Sequence, residues 1–224
     1  MDKNLIKQVF SRAEAIITND HFVYAKKSDG WYHGSDYVNK DAIYPFTRSV
    51  RYLCKVISMH FQGIGPEVIV GPTVGGVILS QWIAAYLSFR KGTNEQVLSL
   101  FADEEKDDKG NSYRIIKRGY NKHVKGRKCL VVEDVINSGL TVQKTIKAVE
   151  IANGLVIGVS ALCNRSGGKV TAETLGVPKL FSLLDLDMKM YKEEDCPICR
   201  ERGVKSVRTD LGKGREFLIR IGQY

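Results

Sequence analysis

The 224-residue sequence has no apolar run approaching the ~20 residues needed to cross a bilayer, so no membrane span is expected. Its start, Met1 to Val9, lacks the basic-then-apolar pattern of a secretion signal. Five cysteines (Cys54, Cys129, Cys163, Cys196 and Cys199) are too few for a disulfide scaffold, and the first three sit in apolar runs that read as core. A reducing cytoplasm is the expected setting. No internal repeat or low-complexity segment appears, and no Ser–His–Asp order, His-x-x-x-His spacing or helix-turn-helix pattern stands out. With 43% apolar and 26% charged residues, the composition is that of an ordinary globular chain and excludes a disordered or fibrous one.

Positive charge is present in excess. Lys and Arg number 34 against 25 Asp and Glu, a formal net charge of +9, which points to an anionic partner. The excess is local: eight basic residues and no acidic one lie between Lys109 and Lys128 (Lys109, Arg114, Lys117, Arg118, Lys122, Lys125, Arg127 and Lys128). Just upstream, Asp103 to Asp108 holds five carboxylates and Lys106. A hairpin tipped by Asp107-Asp108-Lys109-Gly110-Asn111 is expected here, able to close over a bound substrate. A nucleic-acid face would spread over several elements, so the window reads as a funnel for a phosphate-rich metabolite, and nucleic acid is not expected as partner.

Periodicity divides the chain. Asp2 to Thr18 reads as an amphipathic helix, His21 to Tyr44 as an aromatic, turn-rich stretch with strand-like pieces at His21–Ala25 and Tyr37–Lys40, and Thr47 to Phe61 as a second helix. Beyond Gly63, apolar strand runs (Val68–Val70, Val97–Phe101, Cys129–Val132, Val156–Leu162, Leu180–Leu184) alternate with helices near Gly76–Phe89 and Leu140–Asn153. That alternation predicts an α/β fold, a parallel sheet with helices on both faces. Residues 1–62 are read as N-terminal helices and a hood, 63–187 as the α/β core and 188–224 as a tail element, one structural domain overall. Ligands of such sheets sit at the carboxyl ends of the strands.

The most specific segment is Cys129-Leu-Val-Val-Glu133-Asp134-Val-Ile-Asn137-Ser138-Gly139-Leu-Thr141. A buried strand delivers two adjacent carboxylates, and a loop of small residues then opens a helix. Free amides at the loop and helix start make an anion pocket. Ser138 and Thr141 add hydroxyls, and Gly139 permits a tight turn. Glu133 and Asp134 repel phosphate, so they face ribose hydroxyls, a Mg²⁺ ion or a developing cation.

This segment resembles the thirteen-residue phosphoribosyl-pyrophosphate (PRPP) signature of the type I phosphoribosyltransferases, with Glu as the first acid. Other segments are similar to the orotate branch of that family. Gly71-Pro72-Thr73-Val74-Gly75-Gly76 resembles its pyrophosphate loop, Asn164-Arg165-Ser166-Gly167-Gly168 its Asp-Arg-x-Gly-Gly segment, and His21–Tyr24 with Tyr37–Asp41 its hood. The likeness runs from about His21 to Cys199. It departs at Asn164 (usually Asp), at an insertion-like Lys26–His33, and at the lid, where Asp103-Glu104-Glu105-Lys106 precedes Arg118-Gly119-Tyr120.

The resemblance implies a type I phosphoribosyltransferase-like fold and transfer of phosphoribose from PRPP to orotate with Mg²⁺, in a homodimer whose lid reaches the neighbouring site. Catalytic roles fall to Asp134, Glu133, Lys106 and Arg118. PRPP binding falls to Glu133, Asp134, Val135, Ile136, Asn137, Ser138, Gly139, Leu140 and Thr141, with Mg²⁺ held through Glu133 and Asp134. Pyrophosphate falls to Thr73, Val74, Gly75, Gly76, Lys106, Lys117 and Arg118, and the base to Arg165, Lys26 and Lys40. Two other readings stay open: a phosphoribosyltransferase for another base such as a purine, and a non-catalytic PRPP-sensing regulator that binds nucleic acid. Cys196-Pro-Ile-Cys199 has the spacing of half a zinc knuckle. A structural zinc needs about four ligands; with no second cysteine pair and with His21, His33, His60 and His123 scattered, zinc is not expected and a turn with two free thiols is.

Overall fold

The computed structural model of the chain describes residues 3–26, 29–91 and 96–224; Lys27 and Ser28 of the insertion-like segment lie outside the described residues. Helix α1 (Lys3–Arg12) is followed by short strands β1 (Ile16–Ile17), β2 (Phe22–Val23), β3 (Tyr32–Gly34) and β4 (Tyr37–Val38). Then come α2 (Thr47–Phe61), β5 (Val68–Pro72), α3 (Gly75–Lys91), β6 (Leu98–Lys106), β7 (Ser112–Ile115), α4 (Asn121–Val124) and β8 (Lys128–Ile136). The chain continues through α5 (Leu140–Ile151), β9 (Leu155–Asn164), α6 (Ala172–Leu175), β10 (Leu180–Asp185), β11 (Tyr191–Lys192), α7 (Pro197–Arg202) and α8 (Gly214–Arg220). No helix of the described residues is long and apolar enough to cross a membrane.

Two compact units result. One comprises Met1–Lys7 with Phe46–Leu186, the other Gln8–Pro45 with Asp187–Tyr224. These units are drawn by contact and do not follow the division at residues 62 and 187 expected from sequence. Helix α2 buries Val50, Leu53, Cys54, Ile57 and Phe61 and belongs with the sheet, while hood and tail make one unit. The physical reason is strand pairing: β11 of the tail pairs antiparallel with β3, which pairs with β2, in a three-stranded sheet. Helix α1 also stops short of the expected Thr18. Glu14 takes a positive φ of 49°, and Ile16 and Ile17 are drawn into pairing with Val38 and Tyr37.

The first unit is built on a six-stranded sheet in the order β10-β9-β8-β5-β6-β7. Five strands run parallel, as the buried Val- and Ile-rich runs predict. The edge strand β7 runs antiparallel to β6, so the sheet is mixed rather than purely parallel. Alternate residues face opposite sides. Val68, Val70, Val131, Val159 and Ala161 pack with Val142, Ile146 and Val149 of α5 in one core layer. The crossover from β5 through α3 leads to β6 on one side, whereas β8, α5 and β9 build outward on the other. Strand order therefore reverses between β5 and β8, the place where open α/β sheets leave a crevice for a ligand. Burial alone pushes the Cys54 thiol up to about 12, and it dominates the same rise at Cys129 and Cys163, so these three act as core residues.

Candidate active site

Three loops leave the carboxyl ends of neighbouring parallel strands. The first follows β5. Gly71 and Gly76 touch backbone to backbone: a Cβ on Gly71 would lie 2.0 Å from the Gly76 oxygen, and one on Gly76 would lie 2.9 Å from the Val132 oxygen. Only glycine fits both positions, and their contact holds Thr73, Val74 and Gly75 at the head of the 17-residue helix α3. The helix start presents amides without intrahelical partners.

The second loop follows β8. Pairing with β9 carries the strand past the two acids to Ile136, further than the expected Val132. Glu133 and Asp134 end up 6% and 4% exposed. Glu133 Oε1 accepts the Asp134 amide at 3.0 Å, and Asp134 Oδ1 accepts the Val135 amide at 2.6 Å. Asn137, Ser138 and Gly139 then turn the chain into α5, with Gly139 at φ +80° as its left-handed N-cap residue. The third loop begins at Arg165, whose amide donates to the Ile136 oxygen at 2.8 Å. That bond stitches the Arg165 backbone to the end of β8. Lys26, after β2, is exposed, and Lys40 opens a short 3₁₀ turn; both belong to the second unit.

Asn164, where the family signature has Asp, uses both ends of its amide. Nδ2 donates to the Val170 oxygen at 3.1 Å and Oδ1 accepts the Ser166 amide at 3.1 Å. A carboxylate in its place cannot donate. Asn164→Asp is expected to lower unfolding stability by about 1–3 kcal/mol, because an oxygen would face the Val170 carbonyl inside the protein. Urea denaturation checks this; a variant as stable as the parent would contradict the assigned bonds.

The hairpin at Asp107–Asn111 forms as expected, with β6 and β7 in the register Asp103↔Ile115 to Lys106↔Ser112. Asp107 Oδ1 accepts the amides of Lys109 (3.0 Å) and Asn111 (2.7 Å). Hydrogen bonds from the Asn111 side chain and backbone hold the Asp107 carboxyl below the usual carboxylate range. The register also revises the charge reading. Arg114 pairs with Glu104 at 3.0 Å, Arg118 with Asp103 at 3.2 Å, and Lys117 with Glu105. Three of the eight cations of the basic window are thus tied to the acidic stretch beside it.

Arg114, with Lys117 and Arg118, is among the basic residues expected from sequence nearest the site, with no contact assigned to it. It is 9% exposed, and Nη1 donates to Thr73 Oγ1 at 2.8 Å and to the Thr73 carbonyl oxygen at 3.3 Å, bracing the loop after β5 from the lid strand.

The chain matches the family model described as Phosphoribosyl transferase domain over residues 40–175. It is 30% identical to the orotate phosphoribosyltransferase of Caldanaerobacter subterraneus and 32% identical to that of Caldicellulosiruptor bescii, in each case over 95% of this chain and all of the relative. The chain belongs to the type I phosphoribosyltransferase family, in its orotate branch. A Thermotoga maritima member of that branch is 33% identical over 88% of this chain and 93% of its own length. A solved Mycobacterium tuberculosis orotate phosphoribosyltransferase shares the fold, with a TM-score of 0.57 and 17% identity over 83% of this chain and 97% of that one. In this phosphoribosyltransferase, the loops after β5, β8 and β9 are the parts that carry the family's signature segments, and all three stand at the strand ends flanking the switch point.

Proposed function

We propose that the chain transfers the 5-phosphoribosyl group from PRPP to orotate, giving orotidine 5′-phosphate and pyrophosphate in pyrimidine biosynthesis. The observation that carries this reading is the convergence of an acidic strand end, a small-residue anion loop and a glycine-packed second loop on one sheet crevice. Supporting it are relatives named orotate phosphoribosyltransferase that align along nearly all of the chain.

In the mechanism proposed, the bond between the anomeric carbon and pyrophosphate lengthens as the base nitrogen approaches, and positive charge develops on the ribose ring. No protein nucleophile is needed; catalysis is stabilisation of separated charge. Asn137 to Thr141, with the amide-rich start of α5, hold the 5′-phosphate. Glu133 and Asp134 bind the ribose hydroxyls. Thr73 to Gly76 receive the pyrophosphate, braced by Arg114. Lys117 and Arg118 exchange Glu105 and Asp103 for pyrophosphate oxygens as the lid closes, Lys106 joins them, and water is excluded. Arg165 offers a guanidinium fork suited to a carboxylate on the base.

The paired carboxylates of Glu133 and Asp134 make a hard oxygen donor set of the kind Mg²⁺ takes. When bound there, Mg²⁺ supplies positive charge against the pyrophosphate and orients the ribose. A twofold-symmetric dimer in the cytoplasm completes the proposal. The test is pyrophosphate release from PRPP and Mg²⁺ with and without orotate. Orotate-dependent release is expected, and its absence would overturn the reading.

A further inference from the structure

In the second unit, four side chains that are far apart in sequence meet. His21 Nε2, His33 Nδ1, Cys196 Sγ and Cys199 Sγ all lie within 4.8 Å of one another. His21 Nε2 is 3.1 Å from His33 Nδ1 and 3.6 Å from each sulfur, and Cys199 Sγ is 3.4 Å from His33 Nδ1. A tetrahedral zinc with Zn–N of about 2.0–2.1 Å and Zn–S of about 2.3 Å would set nitrogens roughly 3.3 Å apart and nitrogen and sulfur roughly 3.6 Å apart. Four of the six separations match the edges of such a tetrahedron, and the other two lie within 4.8 Å. We propose that these four residues bind one zinc ion in a His₂Cys₂ site that fastens the hood hairpin to the C-terminal segment.

The hydrogen-bond pattern says why a cation belongs there. The Ser206 hydroxyl donates its single proton to the Gly203 oxygen at 2.7 Å, so at 2.7 Å from His21 Nδ1 its oxygen accepts. His21 therefore carries its proton on Nδ1 and turns a bare Nε2 lone pair into the cluster. His33 Nε2 is buried without a hydrogen-bond partner and lies 3.8 Å from a Glu193 carboxylate oxygen. A proton on that nitrogen faces the anion favourably and leaves Nδ1 bare as well. Two lone pairs 3.1 Å apart, beside two sulfurs, repel, and a positive ion between them removes that repulsion. Zinc with two thiolates and two neutral imidazoles is charge-balanced. Ser206 and Glu193, the latter itself paired with Arg220, are the groups that would fix each ring's orientation.

Each ligand is placed by its element. The register Val23↔His33 puts His21 and His33 on the same face of the β2–β3 hairpin as diagonal neighbours. Cys196 precedes α7, and the Cys199 amide donates to its sulfur at 3.4 Å. An iron–sulfur cluster of the two-histidine type would separate the cysteine pair from the histidine pair on different irons. Here His21 Nε2 is equidistant from both sulfurs, as a single ion requires. Cys199 is half-buried and lines a cleft with Trp31 and Glu193, which gives ion and chelator a path. The expectation of two free thiols in a turn rested on the lack of a second ligand pair. The second ligand pair exists, supplied by histidines 12 residues apart that only hairpin pairing brings together.

The full chain, expressed in zinc-supplemented medium and desalted, is expected to hold about one zinc per molecule by elemental analysis. His33→Ala and Cys199→Ser should each lose it, while Cys54→Ala, which touches another unit, should keep it. Removing zinc from the parent with a strong chelator should lower Tm by on the order of 10 °C, restored by zinc. Should the ligand variants fail to fold, cobalt loaded into the chelated parent decides, since tetrahedral cobalt with thiolate ligands absorbs strongly in the visible. Zinc-free protein with both thiols free, a Cys196–Cys199 disulfide, or cobalt without a tetrahedral spectrum would each overturn the proposal.

Discussion

Asp134→Ala is expected to lower kcat/KM for phosphoribosyl transfer by roughly 10²–10³-fold, the usual cost of removing one preorganised group that stabilises transition-state charge. Asp134 stands at the end of a central strand, and its carboxylate is held by the Val135 amide rather than left to rotate. Such a group is already oriented when the ribose ring becomes cationic, so its removal should fall on kcat as well as KM. Asp134→Asn keeps the volume and removes only the charge; it should lose a comparable factor while leaving Tm close to that of the parent. Steady-state kinetics with both variants, alongside thermal melts, separates the chemical from the structural effect. Activity within a few-fold of the parent in both would place the ribose elsewhere.

Gly71→Ala is expected to abolish native folding rather than tune it. The new methyl carbon would sit 2.0 Å from the Gly76 oxygen and 2.2 Å from its carbonyl carbon. Both are backbone atoms, so no rotamer change relieves the clash, and close-packed interiors yield little. Gly76 cannot retreat, because it is packed in turn against Pro72 and the Val132 oxygen. The cost should exceed the 4–5 kcal/mol that marks exceptional substitutions, against a total stability of about 5–15 kcal/mol. Urea denaturation and soluble yield report the outcome; a variant with the parent's midpoint would show that β5 and α3 do not meet as described.

These two positions also show what the sequence could reveal. The PRPP-like segment was legible because its chemistry is local: a buried strand, two acids and a small-residue loop follow one another in a single stretch. Helix α2 was legible to its ends because Val50, Leu53, Ile57 and Phe61 mark one face at helical spacing. What stayed hidden depends on pairing between distant residues. The run Glu104–Lys106 lies beyond the apolar strand run Val97–Phe101 read from sequence, yet it is strand, because β7 supplies its hydrogen bonds and cations opposite its carboxylates. Strands β3 and β11, three and two residues long, carry no periodicity and exist because they pair, β11 with β3 and β3 with β2. The histidine half of the histidine–cysteine cluster stayed hidden for the same reason. Cys196 and Cys199 show half-knuckle spacing, but the histidines lie up to 178 residues from them and nothing in the linear spacing joins the two pairs.

The ion-pair ladder also changes how the net charge of +9 should be understood. Lys117 and Arg118 are held by Glu105 and Asp103; in the mechanism proposed these pairs are exchanged for pyrophosphate oxygens, so the basic window is not an open field of free cations. Surface pairs of this kind contribute little each. That low cost is what the proposed exchange requires.

The central claim is tested most directly by competition. The protein is supplied with limiting PRPP, Mg²⁺ and an equimolar mixture of orotate, uracil, adenine and hypoxanthine, and the nucleotide products are resolved chromatographically. The account predicts orotidine 5′-phosphate as the dominant product, formed one for one with pyrophosphate. A purine nucleotide as the main product, or PRPP left intact, would contradict it.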